Sequence, residues 1–281
     1  MPAEDVRRAA VLGSPIAHSL SPTLHRAAYA GLGLDWRYDA LEVDADGLPA
    51  FLRACGPEWV GLSLTMPLKR AVLPLLDTAS DLVRLVGAAN TVVFGPDGPA
   101  GHNTDVVGIV EALRGIGAEP GPAVILGGGA TAASALAALA QLGCPGVVVR
   151  ARRPEAASGL ADVAGALGLG LACTAWPGPG ELLPDRREAG IVVSTVPGPA
   201  AELLAGAVPR DPGALLDVSY APWPPPLVEA WRRAGGAAAS GEEMLLHQAV
   251  AQVELMSGRR PDTTTMRSAL HAELRRRATG A

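Results

Sequence analysis

Lys69 is the only lysine in a chain with 23 basic side chains, and every other one is arginine. Asparagine is almost as scarce, at Asn90 and Asn103 only. The excess of Ala, Gly, Pro and Arg reflects a coding bias that depletes Lys and Asn, so the few survivors mark positions where substitutes fail. A lysine offers one property that arginine lacks. Its ammonium, with a free pKa of about 10.4, can be shifted by its site, whereas a guanidinium stays charged above about pH 12.

A second group of residues points to a nucleotide. Gly127-x-Gly129-x-x-Ala132 lies between a four-residue apolar run, Ala123–Leu126, and an Ala-rich segment with helical character. Small residues at Gly127, Gly128, Gly129 and Ala130 let the backbone turn sharply and bring N–H groups and a helix N-terminus to a pyrophosphate. A fold that takes NAD places a carboxylate at the end of the next strand. Here that end reads Arg150-Ala-Arg152-Arg153, with no carboxylate before Glu155. Such arginines pair with a 2′-phosphate and favour NADP; the alternative is a cluster of solvated arginines. Ser21 precedes Pro22, which suits an N-cap with proline at the first helical position. Ser19 has no such structural role. Asp105 suits either chemistry or the N-cap of the helix after it.

The elements that must position these residues alternate strand and helix, an α/β signature. The pattern predicts strands over 6–13, 36–43, 60–66, 88–94, 123–126, 147–150, 189–195 and 215–219. It predicts helices over 21–29, closed by Gly31, and over 48–54, from Pro67, and over 106–113, 131–142, 242–256 and 263–277. The stretch 115–122 reads as a linker between two α/β units.

Composition narrows the class. Hydrophobic residues are 49% of the chain, which excludes disorder, and a net charge of −5 argues against nucleic acid as a partner. No apolar run reaches the roughly 18–20 residues that cross a bilayer, and the first residues lack a signal-peptide layout. The expectation is a cytoplasmic protein, monomer or homodimer. Cys55, Cys144 and Cys173 have no metal or disulfide spacing and read as buried thiols. Arg275-Arg276-Arg277 reads as a solvated helix end.

The ordered motifs resemble the shikimate dehydrogenase family. Gly13-Ser-Pro-Ile-Ala-His18-Ser19-Leu-Ser21-Pro22 is similar to its N-terminal motif. Gly61-Leu-Ser63-Leu-Thr65-Met-Pro67-Leu-Lys69 is similar to its G-x-N-V-T-x-P-x-K segment. Gly87-Ala-Ala-Asn90-Thr91 and Gly101-His-Asn103-Thr104-Asp105 match its A-x-N-T and N-T-D segments. Asp217-Val-Ser-Tyr220-Ala-Pro222 and Gly241-Glu-Glu-Met244-Leu-Leu-His-Gln248-Ala match its later ones.

The resemblance implies a fold and an activity. It implies an N-terminal substrate-binding α/β domain over 1–105 and a Rossmann-like NADP-binding domain over 106–242. C-terminal helices over 243–281 would return to the first domain. Lys69 and Asp105 would relay the proton, and Ser19 and Ser21 would bind the carboxylate of shikimate or 3-dehydroshikimate. Thr65, Asn90, Asp105 and Gln248 would hold ring hydroxyls, and Tyr220 would close the carboxylate end. Thr195, Gly241 and Met244 would lie near the cofactor.

Two departures stand out. Ser63 replaces the family's asparagine, which removes a substrate hydrogen bond or replaces it with a shorter reach through water. Ala133 and Ser134 occupy the stretch where an arginine often helps to clamp phosphate. The rival readings are a quinate or amino-shikimate dehydrogenase, or a non-catalytic dinucleotide-binding regulator.

Overall fold

The computed structural model describes residues 6–153, 157, 159–176 and 183–279, with only the backbone at 198 and 199. It divides into two compact units, one of residues up to Thr104 together with those from Leu246 onward, the other Asp105–Leu245. Each carries its own six-stranded sheet and core.

In the first unit the strands are β1 (Arg7–Gly13), β2 (Trp36–Glu42), β3 (Trp59–Leu64), β4 (Thr78–Ala79), β5 (Thr91–Gly95) and β6 (Gly98–His102). Their order is β2-β1-β3-β5-β6-β4. β1 runs parallel to β2 and β3, and β5 pairs antiparallel to both β3 and β6. All six residues of β3, Trp-Val-Gly-Leu-Ser-Leu, are buried, as expected of a strand covered on both faces. Gly98, at φ 89°, makes the β5–β6 turn.

The helices of this unit are α1 (Ser21–Leu32), α2 (Leu48–Ala54), α3 (Leu68–Ala71) and α4 (Asp81–Val86). α1 ends at Gly33, in the left-handed conformation that suits a glycine cap, and not at Gly31. Its N-cap is Leu20, so Ser21 is the first helical residue and not the cap. The core joins Leu12, Leu62 and Val92 of the sheet to Leu48, Leu68 and Val83 of the helices.

In the second unit β7 (Ala123–Leu126), β8 (Gly146–Ala151), β9 (Gly170–Ala175), β10 (Ile191–Ser194), β11 (Ala214–Asp217) and β12 (Ala237–Ser240) run in the order β12-β11-β10-β7-β8-β9. All five pairings are parallel. Read from the other edge, this is the 3-2-1-4-5-6 order of a dinucleotide-binding Rossmann sheet, and the order reverses between β7 and β10. The connecting helices are α5 (Asp105–Gly115), α6 (Ala130–Gln141), α7 (Gly159–Leu167), α8 (Gly198–Leu204) and α9 (Pro226–Arg233). α6 is alanine-rich because it lies against β7, α5 and α7, and eight of its twelve residues are buried. α9 buries Leu227, Val228 and Trp231, whose indole N–H donates to the Gly213 carbonyl at 2.9 Å.

α10 (Gly241–Ser257) begins in the second unit and continues into the first. α11 (Thr263–Ala278) packs on α1. Asp262 caps α11 by accepting from the Thr264 and Thr265 N–H groups at 3.2 and 3.0 Å. No described helix is long and apolar enough to cross a membrane.

Two surface expectations change. The arginine run at the end of α11 is not simply solvated: Arg276 and Arg277 both grip Glu273. Of the three cysteines only Cys144 is buried; Cys55 is half-buried and Cys173 exposed, and all are free.

Candidate functional site

Asn90 lies just before β5 and ties three of the motif segments together. Its backbone N–H donates to the His102 carbonyl at 3.1 Å, and its carbonyl accepts from the Leu64 N–H at 2.8 Å. Its side-chain oxygen accepts from the Thr104 backbone N–H at 2.8 Å and from the Thr91 hydroxyl at 2.9 Å. That fixes the amide orientation, so Nδ2 faces Thr104 Oγ1 at 2.9 Å and Gln248 Oε1 at 3.3 Å.

Asn103 returns the favour: its Nδ2 donates to the Ala88 carbonyl at 2.9 Å. The chain's two asparagines thus each clamp the backbone of the other's segment. Both are at most 5% exposed. Asn90 uses the donor and the acceptor of one short side chain at once, which an amide supplies.

The clamp sets the two proposed proton-handling residues. The Lys69 carbonyl accepts from the Ala89 N–H at 2.8 Å, so the helix turn carrying Lys69 is fixed next to Asn90. Asp105 directly follows Thr104, the residue Asn90 holds. It is the first residue of α5 and is buried, so it sits inside the helix's first turn and not at the N-cap.

The serine loop is held from its own side. Ser14 N–H donates to the Met66 carbonyl at 3.0 Å, and Ser19 N–H to the Ile16 carbonyl at 2.9 Å. A side chain at Gly13 would collide with Thr65, so only glycine lets the loop pass this close. Ser19 Oγ accepts from the Ser21 N–H at 3.3 Å. Gln248 is 6% exposed and not a surface helix residue.

Ser63 is buried and belongs to a polar network behind this cluster. Gln252 Nε2 donates to the Asn90 carbonyl at 3.1 Å and the Thr91 hydroxyl at 3.0 Å. A carbonyl only accepts, so Oε1 must face the other way, toward Ser63 Oγ at 2.7 Å and His25 Nε2 at 3.1 Å. His25 is therefore the Nε2–H tautomer, and its Nδ1 accepts from the Tyr29 hydroxyl at 3.3 Å. Burial holds its pKa down at about 3, against a smaller upward pull from Gln252, so it stays neutral. The Tyr38 hydroxyl donates to Ser63 at 2.6 Å, and its ring stacks on His25 with centroids 3.9 Å apart. Burial pushes the Tyr38 phenol well above its ordinary range, with the Ser63 and Ser21 hydroxyls pulling it down. Ser63 thus fills a structural hydrogen-bonding role here, where sequence reading expected a weakened substrate contact.

In the second unit the glycine turn leaves β7 where the strand order reverses. Gly127 adopts φ 107°, a conformation open to glycine, and a Cβ there would strike the Thr195 hydroxyl. Thr195 follows β10 and bonds the Leu126 carbonyl through both its N–H and its hydroxyl, each at 2.8 Å. Gly127 N–H donates to the Arg150 carbonyl at 2.9 Å.

The arginines divide. Arg150 is 9% exposed and paired with Glu188, so its guanidinium is already engaged. Arg152 and Arg153 are exposed just beyond β8. The open glycine turn and those two cations fit an anionic dinucleotide with a 2′-phosphate. Ala133 and Ser134 are both buried, so that stretch of α6 faces the core.

The Asp217 turn lies at the end of β11. Ser219 N–H donates to its carboxylate at 3.2 Å, and Gly241 N–H to the Ser219 carbonyl at 3.0 Å. Any side chain at Gly241 would strike the Val218 carbonyl. Burial pushes the Asp217 pKa up to about 6, against the Ser219 N–H and the Ser194 hydroxyl, which lower it. Tyr220 is half-buried beyond this turn, and Met244 is 8% exposed in α10.

The model of the shikimate dehydrogenase substrate-binding domain matches residues 11–92, and that of the shikimate 5′-dehydrogenase C-terminal domain matches 241–271. A curated shikimate dehydrogenase (NADP(+)) from Methanothermobacter thermautotrophicus is 35% identical over 95% of this chain and 96% of its own. The chain belongs to the shikimate dehydrogenase family. The Mycobacterium tuberculosis shikimate dehydrogenase structure is 43% identical, covers 95% of this chain and 99% of its own, and superposes with a TM-score of 0.86. The Thermus thermophilus shikimate 5-dehydrogenase, solved with NADP(H) and shikimate, is 32% identical, with 95% and 99% coverage and a TM-score of 0.80.

Within this shikimate dehydrogenase fold, the residues that escaped the sequence reading include His25, Tyr38, Gln252 and Arg277. Tyr38 and Gln252 lie outside the quoted motifs. Gln252 is nevertheless four positions after Gln248, one helical turn on, so the two glutamines share a face of α10. That spacing was the available signal. Arg277 was hidden in an apparently ordinary charge run.

Proposed function

We propose that this chain interconverts 3-dehydroshikimate and shikimate with NADP, and that Lys69 and Asp105 handle the proton at the reacting oxygen. The observation that carries this reading is the reciprocal asparagine clamp. It fixes the Lys69 backbone and the residue preceding Asp105 within one hydrogen-bonded frame. A proton relay needs such fixed partners, because general acid–base help depends on hydrogen-bond reach to one atom.

NADP, when bound, supplies the two-electron acceptor. The glycine turn at Gly127, Gly128, Gly129 and Ala130 would cradle its pyrophosphate, with Thr195 beside it. Arg152 and Arg153 would pair with its 2′-phosphate, and Arg150, paired to Glu188, would support the strand end. Gly241 and Met244 would line the nicotinamide end. Ser19 and Ser21 donate to the substrate carboxylate, and Tyr220 closes that end. Thr65, Asn90, Asp105 and Gln248 serve the ring hydroxyls, with Asn90 fixing which way the Gln248 amide faces. Lys69 donates an N–H to the reacting oxygen, and Asp105 holds the proton balance of that pair.

Initial rates with shikimate, quinate and an amino-shikimate, each with NADP and with NAD, test the reading. The highest kcat/KM is expected for shikimate with NADP. A higher kcat/KM for quinate or the amino analogue would reassign the substrate. No turnover with any of them would make the chain a dinucleotide-binding regulator.

A further inference from the structure

We propose that Arg277, in the last turn of α11, is a positioning residue that holds the serine loop in its carboxylate-binding form. Its Nη1 donates to the His18 carbonyl at 2.8 Å and its Nη2 to the Ser19 carbonyl at 3.3 Å. The same planar fork turns its Nε to Glu273 Oε1 at 2.7 Å. Glu273 is in turn held by Arg276, through Nε at 2.8 Å and Nη2 at 2.8 Å. Those bonds keep the Glu273 carboxyl ionised, with its pKa down at about 2.

A guanidinium bonded on both sides in one plane has little rotational freedom left. Two successive loop carbonyls therefore take their orientation from α11, about 260 residues along the chain from them (259 and 258 positions). This fixes the peptide of Ser19, whose N–H is also bonded to Ile16 and whose Oγ accepts from Ser21. With that oxygen accepting, the Ser19 hydroxyl proton is the group left to donate. A loop held this way presents that donor with its ordering entropy already lost, and so binds an anion more tightly. The inference rests on the proposed role of Ser19 in binding the substrate carboxylate.

Shikimate affinity by calorimetry, steady-state kinetics and melting temperature on the full chain test it, with the variants Arg277→Ala, Arg277→Lys, Ser19→Ala and the double Ser19→Ala/Arg277→Ala. Arg277→Ala should weaken shikimate binding and raise its KM roughly three- to tenfold, the span of about one ordinary hydrogen bond. The KM for NADP should not move, and kcat should stay within about twofold, because the tether acts on binding and not on the reacting atoms. Lysine reaches one carbonyl but lacks the fork, so Arg277→Lys should recover part of the affinity. In the Ser19→Ala background, removing Arg277 should add less than about twofold, since coupled residues are not additive. A lowered melting temperature with unchanged shikimate affinity in both Arg277 variants would make Arg277 a fold residue and overturn the proposal. So would full multiplicative effects in the double variant. If Ser19→Ala itself leaves affinity unchanged, the proposed role of Ser19 fails together with this one; if only the Arg277 variants are silent, the role of Ser19 stands.

Discussion

Replacing Gln252 with leucine should destabilise the chain by far more than one hydrogen bond's worth. The side chain is 1% exposed and has four polar partners. Two of them have other bonds to fall back on. The Asn90 carbonyl still accepts from the Leu64 N–H, and the Thr91 hydroxyl still donates to Asn90 Oδ1. The other two do not: the His25 Nε2–H and the Ser63 hydroxyl proton both lose the acceptor they point at. Each stranded buried donor costs about 1–3 kcal/mol, so the expected loss is about 2–6 kcal/mol before leucine's own burial offsets part of it. Tyr38→Phe is the control. It removes one donor and strands none of the network donors named here, because Ser63 keeps Gln252, so about 1 kcal/mol is expected. Urea denaturation followed by circular dichroism measures both. A Gln252→Leu cost below about 1 kcal/mol, the least that even one stranded donor costs, or equal costs for the two variants, would refute the donor-counting argument.

Other outcomes follow from the same physics. Asp217 keeps its proton in the fold up to about pH 6 but loses it near 3.8 when unfolded, so stability should fall as pH rises through that window. The penalty above it is about 3 kcal/mol, and Asp217→Asn should abolish it; a wild-type-minus-variant melting difference that does not change between pH 4 and 7 would contradict this. His25 works in the opposite sense: its stabilisation is complete above pH 6.5 and is lost as pH falls toward about 3, which a His25→Gln comparison in acid should show as a shallower decline. Arg152→Asp should lower the NADP-over-NAD ratio of kcat/KM, since a carboxylate repels the 2′-phosphate and accepts from the 2′-OH. An unchanged ratio would take Arg152 out of cofactor selection.

Much of the fold could be read from local pattern, and the reasons for success and failure are physical. The runs Leu48–Ala54 and Ala123–Leu126 fall on element boundaries as expected, because apolar periodicity there is uninterrupted. β6 and β12 were missed: Gly-Pro-Ala-Gly-His and Ala-Ala-Ala-Ser carry no strand propensity, and only pairing with neighbours makes them strands. Ser21 looked like a cap because Ser-Pro is a strong local signal, yet the loop before it places the cap at Leu20. The scarcity of Lys and Asn singled out Lys69, Asn90 and Asn103 as candidates without any structure. What scarcity could not reveal is partnership. That Asn90 and Asn103 clamp each other's segments, that Ser63 answers to Tyr38, and that Arg277 reaches His18 are contacts between residues 14 to 259 positions apart. Arg150 shows the converse: an apparently free cation at the strand end is paired to Glu188.

The proposed proton relay at Lys69 is tested most directly by the kcat of Lys69→Arg, with shikimate and NADP, against wild type and Lys69→Ala. Arginine keeps the charge but stays protonated above about pH 12, and its broad fork misplaces N–H groups aimed at one oxygen. General acid–base assistance is worth about 10²–10⁴-fold, so Lys69→Arg should lose activity in that range, nearly as much as Lys69→Ala, with NADP affinity and melting temperature close to wild type. A Lys69→Arg enzyme that keeps more than about a tenth of wild-type kcat, above what loss of such assistance allows, would contradict the account.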